Sequence, residues 1–186
     1  FTMLTNNNGV GVAANNIAKW NGTSWSPLGG GIAGGGVWTV TVFGNDVFVG
    51  GSFTSATNPD GAAVAAKYVA QWNGNAWAPL GSGTDVGVDT LAFLGNELFV
   101  GGSFDTAGGR VAKRIAKWNG TDWSGFASGI NGSVSALAIS DTAVYAGGTF
   151  TEIGGLSIHR ITKWNGTGWS ELGAGSTFRV RLPLVQ

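Results

Sequence analysis

The chain has 186 residues, of which 34 are glycine and none is cysteine, and its ten basic and ten acidic side chains cancel. This composition excludes disulfides, thiolate metal sites and a cysteine nucleophile, and the balanced charge disfavours nucleic acid and anionic membrane surfaces as partners. No apolar run reaches the ~20 residues of a membrane span. The low charge content, together with abundant Asn, Ser, Thr and Gly, favours an extracellular or cell-surface location.

From the amino terminus onward the chain repeats a Trp-Asn-Gly triplet. The triplets open at Trp20, Trp72, Trp118 and Trp164, with spacings of 52, 46 and 46 residues. A second landmark, Gly-Gly-Ser/Thr-Phe, lies between them and ends at Phe53, Phe104 and Phe150. Such periodicity is the sequence signature of repeat architectures. We expect a single repeat domain over residues 1–186, with units at about 1–36, 37–87, 88–133 and 134–175 and a terminal strand at 176–186.

Each complete unit contains four short apolar runs bounded by turn residues, as β-strands are. In the unit that begins at residue 88 they are VDTLAFL, LFVGGSF, RIAKW and TDWSGF. The Asn-Gly pair after each tryptophan predicts a two-residue hairpin turn. With that turn at residues 21–22, Trp20 pairs with Thr23 and Ala18 with Trp25, which places Trp20 and Trp25 diagonally on one face. Each unit is therefore predicted to be two hairpins joined into one antiparallel sheet.

Both faces of these strands carry apolar residues, which is typical of strands covered on both sides. Equivalent sheets stacked face to face around an axis form a β-propeller, and the glycine pair allows a neighbouring sheet to approach closely. We therefore predict an all-β fold, a propeller of four-stranded antiparallel blades with about four repeats, either four-bladed or part of a larger propeller. The tryptophans then pack between blades, and Trp25→Ala or Trp77→Ala is expected to cost ~3–5 kcal/mol.

The order of these landmarks resembles the kelch repeat, in which a glycine pair closes one strand and a tryptophan follows before a tight turn. The chain is most similar to the glycine-rich kelch-like repeats with WNGTxW and GGxF signatures that occur in bacterial secreted or surface proteins, and the similarity covers residues 1–175. The resemblance implies a β-propeller. One departure is the tryptophan before the turn, where a standard kelch repeat usually has tyrosine.

The residues needed for several kinds of catalysis are scarce. Galactose oxidase shares kelch-like repeats, so the resemblance raises copper chemistry as an alternative. One histidine, His159, two tyrosines, Tyr68 and Tyr145, and no cysteine cannot supply that copper site with its thioether crosslink. A zinc site or a His-based triad fails for the same reason. We therefore expect no enzyme activity, no cofactor and no metal.

Alternating strand directions place the two tight turns of each unit on one rim and the longer, variable connections on the other. Variable loops on a rigid scaffold are where binding residues usually lie. The candidates on this loop-rich rim are Asn58, Asp60, Asp105, Arg110, Glu152 and His159. For any one of them, an ordinary solvated loop residue is the favoured competing interpretation. Arg114 and Arg160 recur beside the third strand, and we expect them to make a structural contact at the rim.

The sequence thus predicts a noncatalytic extracellular binding or adhesion scaffold whose partner is a protein or a cell-surface polysaccharide. One alternative is a carbohydrate-binding lectin with sites between the blades. Another is a structural repeat segment of a larger surface protein or enzyme. Self-association that completes the propeller is also left open.

Overall fold

A computed structural model describes residues 2–126 and 129–173 of the chain. The terminal strand predicted at 176–186 therefore lies outside the described residues. Every helix or strand assigned within the described ranges is a β-strand, which confirms the all-β prediction.

The strands follow one another with short connections. The first unit and the link after it contain β1 (Met3–Thr5), β2 (Gly11–Ala13), β3 (Ala18–Trp20), β4 (Trp25–Pro27) and β5 (Gly31–Ala33). The second unit contains β6 (Val37–Phe43), β7 (Asp46–Gly51), β8 (Ser55–Thr57), β9 (Ala63–Ala65), β10 (Val69–Trp72) and β11 (Trp77–Pro79). The third contains β12 (Val88–Leu94), β13 (Glu97–Gly102), β14 (Thr106–Ala107), β15 (Arg110–Val111), β16 (Ile115–Trp118) and β17 (Trp123–Gly125). The fourth contains β18 (Val134–Ser140), β19 (Ala143–Gly148), β20 (Glu152–Ile153), β21 (Leu156–Ser157), β22 (Ile161–Trp164) and β23 (Trp169–Glu171).

Three four-stranded antiparallel sheets form the body of the molecule, as predicted. Their strand orders are β6-β7-β10-β11, β12-β13-β16-β17 and β18-β19-β22-β23, called here the first, second and third sheets. In place of a four-stranded sheet, the described residues of the first unit form the hairpin β3–β4, which corresponds to the third and fourth strands of a sheet. Strand β12 contacts both β6 and β18, so the sheets stack in chain order.

Glycines allow the sheets to approach one another closely. A Cβ atom on Gly50 would lie 2.5 Å from Cγ1 of Val88, and one on Gly101 would lie 2.6 Å from Cγ1 of Val134. Each valine opens the first strand of one sheet and rests on the second strand of the preceding sheet. The predicted role of the glycine pair is confirmed.

A small hairpin, called here a satellite hairpin, lies between the second and third strands of each sheet. The satellite hairpins are β8–β9, β14–β15 and β20–β21, and β1–β2 is their counterpart in the first unit. Each satellite hairpin of the three sheets pairs with the segment that connects the preceding unit to its own unit. Strand β5 pairs with β8, Thr84 bridges to Ala107, and Ile130 bridges to Ile153. The satellite hairpin of residues 55–65 is longer than that of residues 106–111, so these hairpins hold the variation in unit length.

The turn after each tryptophan differs from the prediction. Trp20 pairs with Trp25 and Lys19 with Ser26, so the loop has four residues and the two indole rings lie directly opposite each other. Their centroids are 5.2 Å apart. The side-chain Oδ1 of Asn21 accepts hydrogen bonds from the backbone N–H groups of the third and fourth loop residues, at 2.9 and 2.8 Å. The two-residue prediction was wrong because this asparagine acts through its side chain.

The tryptophans pack on the preceding unit. Nε1 of Trp77 donates to the carbonyl oxygen of Leu28 at 2.9 Å, and Nε1 of Trp123 donates to that of Leu80 at 2.7 Å. Trp77 is buried as predicted, whereas Trp25 is only half-buried. The burial expected for Trp25 was wrong because, within the described residues, no unit precedes it.

Candidate functional site

The predicted binding residues lie along the rim that carries the satellite hairpins. Asn58 and Asp60 lie in the β8–β9 loop, Arg110 lies in β15 and Glu152 in β20. Asp105 precedes β14, and His159 follows β21. No hydrogen bond or ion pair within residues 2–126 and 129–173 joins any two of the six. The structure spreads them over three successive sheets, and their part in binding stays a prediction.

Asn58 and Asp60 both stabilise the satellite hairpin of the first sheet. Oδ1 of Asn58 accepts a hydrogen bond from the backbone N–H of Trp77 at 2.7 Å, which ties the hairpin loop to β11. Oδ1 of Asp60 accepts one from the backbone N–H of Ala62 at 2.9 Å, which closes the loop. Asn58 is half-buried and Asp60 is exposed. Asp60 is therefore the more accessible of the two to a ligand.

Asp105 belongs to a rim contact that includes Arg114. Nη1 of Arg114 lies 3.4 Å from a carboxylate oxygen of Asp105 and also donates a hydrogen bond to the carbonyl oxygen of Ser103. The backbone of Arg114 is left-handed, with φ at 77°, and its N–H bonds the carbonyl oxygen of Phe104. Arg160 at the equivalent position has φ at 67° and bonds Phe150 in the same way. Both arginines make structural rim contacts, as predicted.

The other three candidates leave their side chains exposed, and the backbones of Glu152 and Arg110 make structural contacts. The N–H of Glu152 donates to Oδ1 of Asn131, in the link from the second sheet, at 3.0 Å. Arg110 pairs with Ala107 across the satellite hairpin of the second sheet. His159 occupies the position of Lys113, whose carbonyl oxygen accepts the N–H of the following link at 3.1 Å. This rim therefore presents the Glu152 carboxylate and the Arg110 guanidinium on fixed backbone, and it also exposes the His159 imidazole.

A cavity of about 270 Å³ lies at the opposite rim, between the first and second sheets. Its apolar wall includes Phe48, Phe93 and the buried Trp118. Its polar wall includes Asp46 and Gln71, whose side chains are joined by a hydrogen bond of 2.6 Å from Nε2 to Oδ2. The cavity combines aromatic surface with a carboxylate and a carboxamide.

Sequence reasoning missed this cavity because its lining residues come from separate strands and turns of two sheets. A signal was present at the position of Gln71, which the next two units replace with Lys117 and Lys163. Between the second and third sheets, Nζ of Lys117 pairs with Glu97 at 2.8 Å and lies 5.9 Å above the Phe99 ring. The polar side chains at this position of the rim therefore differ from one pair of sheets to the next.

A second cavity, of about 200 Å³, lies against the third sheet and is lined in part by Trp164, Trp169 and Leu156. Nε1 of Trp169 is buried and has no hydrogen-bond partner among the described residues. This distinguishes it from Trp77 and Trp123, whose indole N–H groups bond backbone carbonyls.

Within residues 2–126 and 129–173, no cluster of three or more His, Asp or Glu is placed to hold a metal ion. The same residues contain no helix long and apolar enough to cross a membrane. No protein-family model matches the chain, and no curated protein sequence matches it.

Proposed function

We propose that the chain is a noncatalytic extracellular scaffold for binding or adhesion, built as a kelch-like β-propeller. Three sheets of one topology, stacked in chain order with a satellite hairpin at the same place in each, support the propeller. The low charge content and the Trp-Asn-Gly repeats support the secreted or surface location. Its partner is a protein or a cell-surface polysaccharide.

The observation that supports a binding role concerns the rim that carries the satellite hairpins, called here the satellite rim. Its backbone is held in place by hydrogen bonds, whereas several of its side chains are exposed. The satellite backbones are fixed by bonds to the incoming links, such as those from Glu152 and Thr151 to Asn131. The side chains of Asp60, Arg110 and His159 are exposed and differ from unit to unit. A rim that is already ordered loses little conformational entropy on binding, which favours affinity.

The noncatalytic assignment rests on how the reactive groups are distributed. His159 is the single histidine, and it makes no hydrogen bond or ion pair with the rest of the described chain. A histidine that acts as a general base is normally oriented by a second group within hydrogen-bond reach.

Binding of the labelled chain to immobilised collagen, fibronectin and peptidoglycan tests the proposal. We expect saturable binding to at least one of these surfaces, and a loss of at least tenfold in the satellite-rim variant. That variant combines Asp60→Ala, Arg110→Ala, Glu152→Ala and His159→Ala. The matched control on the opposite rim combines Asn45→Ala, Asn75→Ala, Asp122→Ala and Thr142→Ala. Absence of saturable binding, or equal losses in both variants, would contradict the proposal.

The cavity between the first and second sheets supports a second candidate, a lectin with a site between blades. Its volume of about 270 Å³ suits one sugar residue. Phe43, which is 41% exposed, and Phe93 offer aromatic surface for the apolar face of a pyranose, and Asp46 and Gln71 offer hydrogen-bonding groups for its hydroxyls. Ligand pockets commonly combine an apolar lining with a few such polar groups.

Titration with a panel of monosaccharides and disaccharides, followed by calorimetry, tests this candidate. Gln71→Lys, which copies the residue of the second sheet, is expected to weaken sugar binding at least tenfold. Lys163→Gln, at the equivalent position of the third sheet, should leave it unchanged. If neither sugars nor the immobilised surfaces bind, the remaining alternative is a structural repeat segment of a larger protein.

A further inference from the structure

Three equivalent positions recur in each sheet where its second and third strands pair, at the rim opposite the satellite rim. In the second sheet they hold Glu97, Phe99 and Lys117, and Phe99 pairs with Lys117 across the strands. Both carboxylate oxygens of Glu97 accept hydrogen bonds from Nζ of Lys117, at 2.8 and 2.9 Å. The same Nζ lies 5.9 Å from the centre of the Phe99 ring. A carboxylate and an aromatic face both attract an ammonium group, so the second sheet binds its own lysine twice over.

The third sheet repeats the contact between the ammonium group and the ring. Lys163 pairs with Tyr145 across the strands, and its Nζ lies 5.7 Å from the centre of the Tyr145 ring. The acidic position holds Ala143. An alkylammonium group above an aromatic ring is therefore common to both sheets.

The first sheet keeps the carboxylate and the ring but lacks the ammonium group. Its equivalent residues are Asp46, Phe48 and Gln71, with Phe48 paired with Gln71. Glutamine is shorter than lysine and uncharged, and Nε2 of Gln71 donates a hydrogen bond of 2.6 Å to Oδ2 of Asp46. Among residues 2–126 and 129–173, no basic side chain forms an ion pair with Asp46. The half-buried carboxylate thus has a hydrogen-bond donor but no positive charge beside it.

The space at these positions of the first sheet belongs to the cavity of about 270 Å³. Phe93 adds a further ring, which stacks on Phe43 with 4.5 Å between the centroids and meets Phe48 edge-on at 5.0 Å. All lining residues lie within residues 43–120, in two sheets that have all four strands, and Asp46 is the single charged one among them. An aromatic cavity with one carboxylate favours a cation.

We propose that this cavity binds a lysine side chain of a protein partner. Its ammonium group pairs with Asp46 and lies over Phe48, as the lysine of the second sheet does with its own acid and ring. Its apolar stem lies against the aromatic wall. The lysine enters from the rim, where Asn96 and Asn119 line the cavity and are exposed. The site is separate from the satellite rim and supplies a second contact to a protein partner.

Charge distinguishes this ligand from a neutral sugar in the same cavity. A sugar hydroxyl can donate a hydrogen bond to Asp46, but a neutral ligand covers the carboxylate and leaves its charge unpaired. Covering an unpaired charge is costly. An ammonium group supplies both the hydrogen-bond donors and the opposite charge. The pairing that the chain itself makes between Lys117 and Glu97 is therefore the better guide to the ligand.

Nα-acetyl-lysine methylamide serves as the probe, and NMR titration of the whole chain measures its binding. We expect saturable 1:1 binding, with shift changes centred on the amides of Asp46, Gln71 and Asn96. The norleucine analogue keeps an unbranched apolar side chain and lacks the ammonium group. It should bind at least tenfold more weakly.

Variants of the chain test the two groups that define the site. Asp46→Asn removes the negative charge at nearly constant size and should weaken binding of the probe at least tenfold. Gln71→Lys supplies an internal ammonium group, as in the second sheet, and should also weaken binding at least tenfold. Glu97→Gln is the matched control, because it makes the same change at the acid that already pairs with Lys117, and it should bind the probe as the unaltered chain does.

Absence of saturable binding, equal binding of the norleucine analogue, or full binding by the Asp46→Asn chain would overturn the proposal. Glucose and glucosamine separate the other ligands of this cavity. If either sugar binds more tightly than the probe, the ligand is a sugar and the proposal is also overturned. The satellite-rim variant should bind the probe normally, so failure of this inference is distinguishable from failure of the proposed function.

Discussion

The indole N–H of Trp123 donates a hydrogen bond of 2.7 Å to the carbonyl oxygen of Leu80, which lies one unit earlier in the chain. Trp77 makes the same bond to Leu28 at 2.9 Å. A buried donor of this kind is costly to leave unpaired, so each bond fixes the position of one sheet against the preceding unit. Trp169 occupies the same position but has no partner within the described residues. These tryptophans therefore differ in hydrogen bonding although their places in the repeat are the same.

This difference predicts unequal effects of the same substitution. Trp123→Phe removes the indole N–H and leaves the carbonyl of Leu80 buried without its partner, which should cost ~1–3 kcal/mol beyond the loss of ring volume. Trp169→Phe loses similar volume and breaks no hydrogen bond among the described residues, and it serves as the control. Chemical unfolding measures both. Equal losses would show that the bond contributes nothing to stability.

Val134 of the third sheet packs directly against Gly101 of the second sheet. We therefore expect that even a methyl group added at Gly101 will push these two sheets apart. In Gly101→Ala the new Cβ would lie 2.6 Å from Cγ1 of Val134, and we expect a destabilisation of ~1–3 kcal/mol from overpacking. Gly168→Ala is the control, because no atom lies within 4 Å of its Cβ position. Unfolding free energies give the comparison.

The partner valine provides a second test of the same contact. Val134→Ala removes the γ-methyl group that the new Cβ would meet at 2.6 Å and leaves only the contact with Cγ2 of Thr90 at 2.8 Å and that with Cβ of residue 134, so the double variant should be more stable than the sum of the two single losses predicts. Additive losses would contradict the close contact as the cause.

The landmarks of the sequence predicted the sheets because glycine pairs and turn residues act locally. They did not predict the pairing of Trp20 with Trp25, since an Asn-Gly pair suits either a two-residue turn or a longer loop closed by the asparagine side chain. The exposure of Trp25 depends on whether a unit precedes it, which no local pattern encodes. The candidate site was predicted as exposed residues on one rim. The cavity beside Asp46 was not predicted, because residues from separate strands of two sheets meet there.

The four-residue loop after each tryptophan depends on the side chain of its asparagine. A two-residue turn would instead tolerate glycine at this position, because both of its central residues have positive φ. Oδ1 of Asn119 accepts hydrogen bonds from the backbone N–H groups of Thr121 and Asp122, at 2.9 and 2.8 Å. Asn119→Gly removes both bonds and should destabilise the chain by ~0.5–1.5 kcal/mol. Asn119→Asp keeps the acceptor oxygen and should be nearly neutral. Thermal unfolding tests both, and a stabilising Asn119→Gly would contradict the four-residue loop.

Arg114 combines a left-handed backbone with an ion pair at the rim, and substitution separates the two contributions. Its φ of 77° is a conformation that costs an L-residue roughly 1–2 kcal/mol relative to glycine. Arg114→Gly and Arg114→Ala lose the same contacts to Asp105 and Ser103, but only alanine keeps the strained backbone. Arg114→Ala should therefore be less stable than Arg114→Gly by about 1 kcal/mol.

Asp105 is exposed, so its ion pair with Arg114 should contribute little to stability. Asp105→Asn should therefore unfold at nearly the same denaturant concentration as the unaltered chain. Urea unfolding of all three variants checks both statements, and an Arg114→Gly chain that is no more stable than Arg114→Ala would show that the backbone strain has been overestimated.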